Sequence, residues 1–225
     1  MLNEAGVQFY MNRSVTGLRL DDTCAAVELA AGDHKRAGNV ELISADAIVV
    51  AAGVGTSSLI AGMKSTPALF PMRMHTLTAP IAYEECAPHL TVVDSIKRIT
   101  MTRVNQRLRV AGAGVFQSAA KADKPLDAAL SRRALDLLGQ ATHDWIPGAA
   151  RVSAARGWDG LRLVTADGLP VVGRTRHPRL FVNAAHGPVG WGLACGSAKV
   201  IADLVSGVTP DVPADTLAAL SLERF

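Results

Sequence analysis

Aromatic residues are scarce in this 225-residue chain, 4% in all, and cysteine is nearly absent. Cys24, Cys86 and Cys195 are far apart and odd in number, which argues against a disulfide framework and gives no zinc-ligand spacing; reduced thiols are the simple reading. The histidines are scattered, so no metal site is expected. No apolar run approaches the roughly 20 residues of a membrane span, and no charged-then-apolar leader opens the chain. A cytoplasmic protein is the expectation, with peripheral attachment at the inner face of a membrane left open. The net charge of +3 is spread out, without a Lys/Arg stripe interleaved with aromatics, and no nucleic-acid partner is expected.

What the chain has in quantity is apolar residues, 49% of the total, enough to fill the core of one large domain or two small ones. Its most informative stretch is NAAHGPVGWGLACGSAKVIADLVSG, Asn183 to Gly207. Leu180 to Ala185 reads as a strand buried on both faces, and Leu193 onward as a helix packed through Leu193, Ala194, Val200, Ile201, Leu204 and Val205. Between them lie Gly187, Gly190 and Gly192. Glycines so spaced let the backbone take positive φ and come against a flat or anionic group, and the free N–H groups of the helix point to the same place. A tight turn relieved of crowding would carry the same glycines, and both readings stand at this point.

In chain order, Met1 to Gly6 reads as a helix end and Val7 to Tyr10 as a strand. Val15 to Leu20 and Cys24 to Leu29 form a hairpin around Asp21-Asp22, with a polar turn over Gly32 to Gly38 and a strand over Asn39 to Ile43. Ala45 to Gly53 is a continuous apolar strand. Its ending, Gly53, Gly55 and Ser58, is a poor match to G-x-G-x-x-G, without the long helix or the acidic residue about twenty positions on. From Pro67 the pattern changes to short strands: Met72 to Pro80, Thr91 to Asp94, Ile99 to Val104 and Arg107 to Ala113. Leu126 to Thr142 is an amphipathic helix packed through Leu126, Leu130, Leu135, Leu137 and Leu138. Ala149 to Trp158 reads as a strand, Gly160 to Gly173 as a punctuated loop ending in a short strand, and Val208 to Phe225 as a loose tail.

GLRLVTADGLPVVGRT followed by LFVNAAHGPVGWGLACGSAKVIADLVSG resembles the C-terminal third of flavin enzymes of the D-amino-acid oxidase superfamily, most of all the small-subunit branch of bacterial D-amino-acid dehydrogenases. ADAIVVAAG, LFPMRMHTLTAPI and TMTRVNQRLRVAGAG keep the same order, so the resemblance covers most of the chain. It implies an α/β (α+β) fold, a partial Rossmann-like FAD-binding domain combined with an antiparallel-sheet substrate domain. The corresponding division is 1–65 for the remaining FAD-binding part, 66–147 for the substrate domain and 148–225 for the return to the first domain. The family's N-terminal G-x-G-x-x-G unit is missing, which makes this an expected truncated member whose partner is the absent half or a second subunit. Two departures bear on the substrate pocket: the family usually has glycine where Met74 stands and proline where Leu163 stands.

The resemblance implies FAD as cofactor, held by Val15, Ala51, Ala52, Gly53, His186, Gly187, Gly190, Trp191 and Gly192. It places Arg162 and His75 at the substrate, Arg162 on its carboxylate, a task suited to the guanidinium fork. The implied reaction is oxidative deamination of a D-amino acid, a hydride passing from the α-carbon to the flavin to give a 2-oxo acid and ammonia, with electrons leaving to a quinone or respiratory carrier. No protein base is required, since the flavin carries the chemistry, and no catalytic residue is assigned. Two alternatives remain: an oxidase of glycine or sarcosine type, and a non-catalytic fragment that folds or pairs without flavin.

Overall fold

The computed structural model describes residues 4–31, 40–61, 69–118 and 124–225. The expected helix end at Met1 to Asn3 and the polar turn over Gly32 to Gly38 lie outside them. In chain order the strands are β1 (Arg13–Leu20), β2 (Ala25–Ala31), β3 (Glu41–Ala45), β4 (Ile48–Val50), β5 (Leu69–Pro80), β6 (Val92–Asp94), β7 (Ile99–Val104), β8 (Arg107–Phe116), β9 (Arg156–Thr165), β10 (Val171–Arg174) and β11 (Leu180–Ala184). The helices are α1 (Thr56–Leu59), α2 (Ala128–Trp145), α3 (Gly190–Val205) and α4 (Ala214–Leu220). The chain divides into two compact units, Met1–Ala68 with Asp167–Phe225, and Leu69–Ala166.

The first unit contains an antiparallel meander, β1-β2-β3, and a second three-stranded sheet of order β10-β11-β4. The β1–β2 turn is tied by Asp21, whose Oδ1 accepts from Thr23 N at 2.8 Å, Thr23 Oγ1 at 2.8 Å and Cys24 N at 2.6 Å. The Thr23 hydroxyl and these amides hold the Asp21 carboxyl below its ordinary value. In the second sheet β4 and β11 run parallel, Ile48 opposite Leu180 and Val50 opposite Val182. All four side chains are buried, which is why these strands read as continuous apolar runs. Helix α3 covers the sheet through Val200 and Ile201, packed on Val172 and Phe181 and flanked by Leu217 and Leu220 of α4.

The tail expected to be loose is built into this unit. Leu222 is buried, and Arg224 donates to Asp167 Oδ2 at 2.7 Å and to Leu169 O at 2.8 Å. Such long-range pairing leaves no local periodicity to read. Val7 to Tyr10, expected as a strand, is exposed and forms no ladder.

The second unit is one antiparallel sheet of order β6-β7-β8-β5-β9, with α2 on one face. Leu138 and Ala141 of α2 bury against Leu77, Ala79, Ile99, Met101, Leu108 and Val110, each large side chain contributing about 1.5–3 kcal/mol. Asp127 caps the helix, accepting from Ala129 N at 2.8 Å and Leu130 N at 3.3 Å. The buried stripe is Ala134, Leu138, Ala141 and Thr142; Leu130 and Leu137, expected to pack, stand largely exposed. The strand expected over Ala149 to Trp158 begins only at Arg156, after a short 3-10 turn over Val152–Ala154, and continues as β9 to Thr165, paired with β5 through residues expected as a punctuated loop. The glycines at 157 and 160 sit under side chains, Leu135 and Trp158, and do not break the strand.

Candidate functional site

Two turns in the first unit leave the same end of one sheet. Because β4 and β11 are parallel neighbours, the chain emerges from both at their C-terminal ends, and each then passes through a glycine of positive φ: Gly53 at +56° and Gly187 at +55°. Ala51, Ala52 and Gly53 are thereby brought beside the stretch from His186 to Gly192. In open sheets with parallel strands this is the edge at which ligands bind. Ala185 joins them at φ +60°, a left-handed conformation costly for a residue with a side chain.

The glycines at this edge are not all explained by the protein's own packing. A Cβ on Gly190 would press on His186 Cβ at 3.1 Å, but one on Gly53 or Gly192 would meet nothing within 4 Å. Trp191 is 97% exposed, and the first turns of α3 carry no side-chain cap and no acidic residue. The N–H groups there are free to hold negative charge. His186 Nε2 and Asn183 Oδ1 are buried without a hydrogen-bond partner, and burial pushes the His186 imidazole below its ordinary value, favouring the neutral ring. Val15 lies apart, on β1 of the meander, a strand that contacts α1.

In the second unit the pleat sorts side chains between two faces. Met72 and Met74 of β5 stand opposite Arg162 and Gly160 of β9, and these four share the face turned away from α2. Gly114 belongs to a bulge in β8: Val115 pairs with Arg73 and Gly112 with His75, so Ala113 and Gly114 together face Met74. A Cβ on Gly114 would meet the Met74 sulfur at 2.9 Å and the Met72 sulfur at 3.0 Å. Trp158 folds over Gly160 in the same way.

Arg162 and His75 are not brought together. The register puts His75 on the α2 side, where it is 1% exposed and its Nδ1–H donates to Ala113 O at 2.9 Å, fixing the bulge. As placed, His75 cannot touch a ligand beside Arg162. Leu163 is buried on the same side as His75, so its departure from the family pattern leaves the Arg162 face unchanged.

The faces also divide the arginines. On the α2 side, Arg73 pairs with Asp159 and Arg103 with Glu84. On the other side stand Arg107, Arg109, Arg156 and Arg162, and the strands place no Asp or Glu among them. Arg162 makes no hydrogen bond or ion pair with the described residues, leaving its five donors available to an anion.

A family model described as FAD dependent oxidoreductase matches residues 1–204. The chain belongs to that family. Its fold is that of glycine oxidase from Geobacillus kaustophilus, with a TM-score of 0.76, 22% identity, and 99% of this chain covering 55% of that one. L-proline dehydrogenase from P. horikoshii gives a TM-score of 0.77 at 16% identity over 99% of this chain and 56% of its own. L-amino acid deaminase from Proteus vulgaris gives 0.67 at 19% identity, covering 99% and 52% respectively. This chain therefore spans about half the length of the solved structures it matches.

FAD is the cofactor of this FAD-dependent oxidoreductase family. The first unit's residues fit such a group: two glycine turns at one sheet edge, glycines whose missing Cβ faces empty space, and an uncapped helix N-terminus. Sequence reasoning missed Asn183 and Ala185. The signal for Asn183 was present, a polar residue inside an apolar strand. It also missed Met72 and Trp158, whose placement needs the β5–β9 register. Among the described residues no group of three or more His, Cys, Asp or Glu could hold a metal, and no helix is long and apolar enough to cross a membrane.

Proposed function

We propose that this domain serves the FAD-dependent oxidative deamination of an amino acid, D-amino acids being the preferred reading, to a 2-oxo acid and ammonia. The observation carrying the proposal is Arg162: an unpaired guanidinium on a strand face free of carboxylates, in a chain of an FAD-dependent family. Arg162 would hold the substrate carboxylate through two N–H donors and so orient the Cα–H bond. Bound FAD supplies the two-electron acceptor. Ala51, Ala52 and Gly53, with His186, Gly187, Gly190, Trp191 and Gly192, would form its protein surface, and Val15 its adenine contact. The free N–H groups of α3 stabilise negative charge placed against them. Neutral His186 packs rather than shuttles protons, and solvent takes the amine proton.

The glycine and sarcosine reading stays in play because one of the similar folds is a glycine oxidase. In either case a further polypeptide segment, in the same chain or a second one, would pair with the edge of β4 that no described strand covers and complete the cofactor surface. Electrons would leave to a quinone or respiratory carrier, the protein lying in the cytoplasm at the inner face of the membrane. The test is the protein purified with FAD and mixed anaerobically with D-alanine, L-alanine, glycine and sarcosine. Bleaching of the yellow colour by D-alanine supports the proposal. Bleaching by glycine or sarcosine alone moves the assignment to the second reading, and a colourless protein leaves the non-catalytic fragment.

A further inference from the structure

We infer that the side chain of the substrate lies between Met74 and the indole of Trp158, which makes these two residues the specificity determinants and an apolar monocarboxylate the ligand selected. The inference rests on the reading of Arg162 as the carboxylate site and adds what surrounds it.

Met72 stands directly across from Arg162, with Cβ atoms about 5 Å apart, and Met74 stands diagonal to it. Trp158 is four residues before Arg162 on the same strand, but its indole lies back over Gly160, one side-chain position from Arg162. Arg162 therefore has the indole over the neighbouring position of its own strand and two methionines on the adjoining strand, whose sulfurs lean over Gly114 of β8 and leave the strip between them and the ring open. The two glycines have a defined part in this. Gly114 makes room for both sulfurs and Gly160 makes room for the ring, and a Cβ at either would displace them from the sheet surface.

Thioethers are soft, polarizable and adaptable, and sulfur against an aromatic ring is a favourable contact. An anion at Arg162 would extend its body across this strip and bury apolar surface there. A second carboxylate would find no second cation within a side chain's length on β9, since the next arginine, Arg156, is six residues away, about 20 Å along the strand. A cationic side chain would find no acid on this face and Arg162 beside it.

The experiment is calorimetric titration of the purified chain, with FAD present, by three non-reacting acids: acetate, 3-phenylpropanoate and glutarate. Expected is 3-phenylpropanoate binding at least tenfold more tightly than either of the others. Trp158→Ala and Met74→Gly each bring that ratio down to about 1, and Trp158→Phe keeps most of it, which separates loss of the apolar strip from loss of folding. Equal affinity for the three acids, or a ratio untouched by both variants, overturns the inference while leaving the carboxylate site standing if Arg162→Met still abolishes binding. Binding that survives Arg162→Met, or no binding of any acid, overturns both.

Discussion

Gly53 and Gly187 hold nearly the same left-handed backbone angle, +56° and +55°, each just beyond one of two neighbouring parallel strands. Two glycine turns of one conformation at one sheet edge bring two separate backbone segments side by side. Replacing either with alanine keeps the volume almost unchanged but forces a Cβ into the left-handed region, at about 1–2 kcal/mol. Gly192 differs: it is helical, and a Cβ there meets nothing. Gly192→Ala should raise the thermal midpoint slightly, by up to about 1 kcal/mol of helix propensity, while weakening FAD binding measured by flavin fluorescence. A variant that gains stability and keeps full affinity would show that the space above Gly192 is not the ligand's.

Arg162→Lys keeps a positive charge and loses the two-pronged geometry. Removal of the paired donors should raise KM for the amino acid roughly 30-fold, about 2 kcal/mol, with Arg162→Met worse than Arg162→Lys. Steady-state kinetics with a dye acceptor measures it. A larger fall in kcat than rise in KM would assign Arg162 to the reacting centre instead of the carboxylate.

Arg73 gathers three acceptors on the α2 side of its sheet: Asp159, Gln117 Oε1 at 3.0 Å and Lys124 O at 3.1 Å. Arg73→Met should cost about 1–3 kcal/mol in urea unfolding by leaving these groups without their donor. Because the side chain points away from Arg162, carboxylate affinity should be unaffected in the folded fraction.

His186 titrates below its ordinary value because it is buried. As pH falls, the unfolded chain therefore takes up the proton first. The stability linked to this ring is whole above about pH 6.5 and declines as pH drops from there through the lower folded value. Urea midpoints at pH 7.5 and 5.5 should differ more for the native sequence than for His186→Leu; equal slopes would acquit the imidazole.

Asp127 is the sole side-chain cap of α2, and Asp127→Ala should lower stability by about 1 kcal/mol, read from thermal melts. Asp127→Asn should recover most of it.

Much of this was legible in the residues alone. The strands β4 and β11 announced themselves as apolar runs, and the glycine spacing after Ala185 marked the turn that joins β11 to α3. The hairpin around Asp21 followed from turn chemistry. What escaped depends on partners distant in sequence. The second half of β9 looked like a loop because Gly160 suggests a break, whereas the space above that glycine is filled by the Trp158 ring. The resemblance placed His75 at the substrate, and only the register with Asp159 and Gly112 tells which side it faces. The tail lacked any local sign of the Arg224–Asp167 tie that holds it.

The separation of arginines between the two faces of the second unit's sheet gives the protein two electrostatic regimes on one scaffold. Counter-ions compete with whatever Arg107, Arg109, Arg156 and Arg162 attract, while the partly shielded pairs of Arg73 and Arg103 are screened less. Added salt should thus loosen the grip on an anionic ligand well before it softens the sheet that presents it.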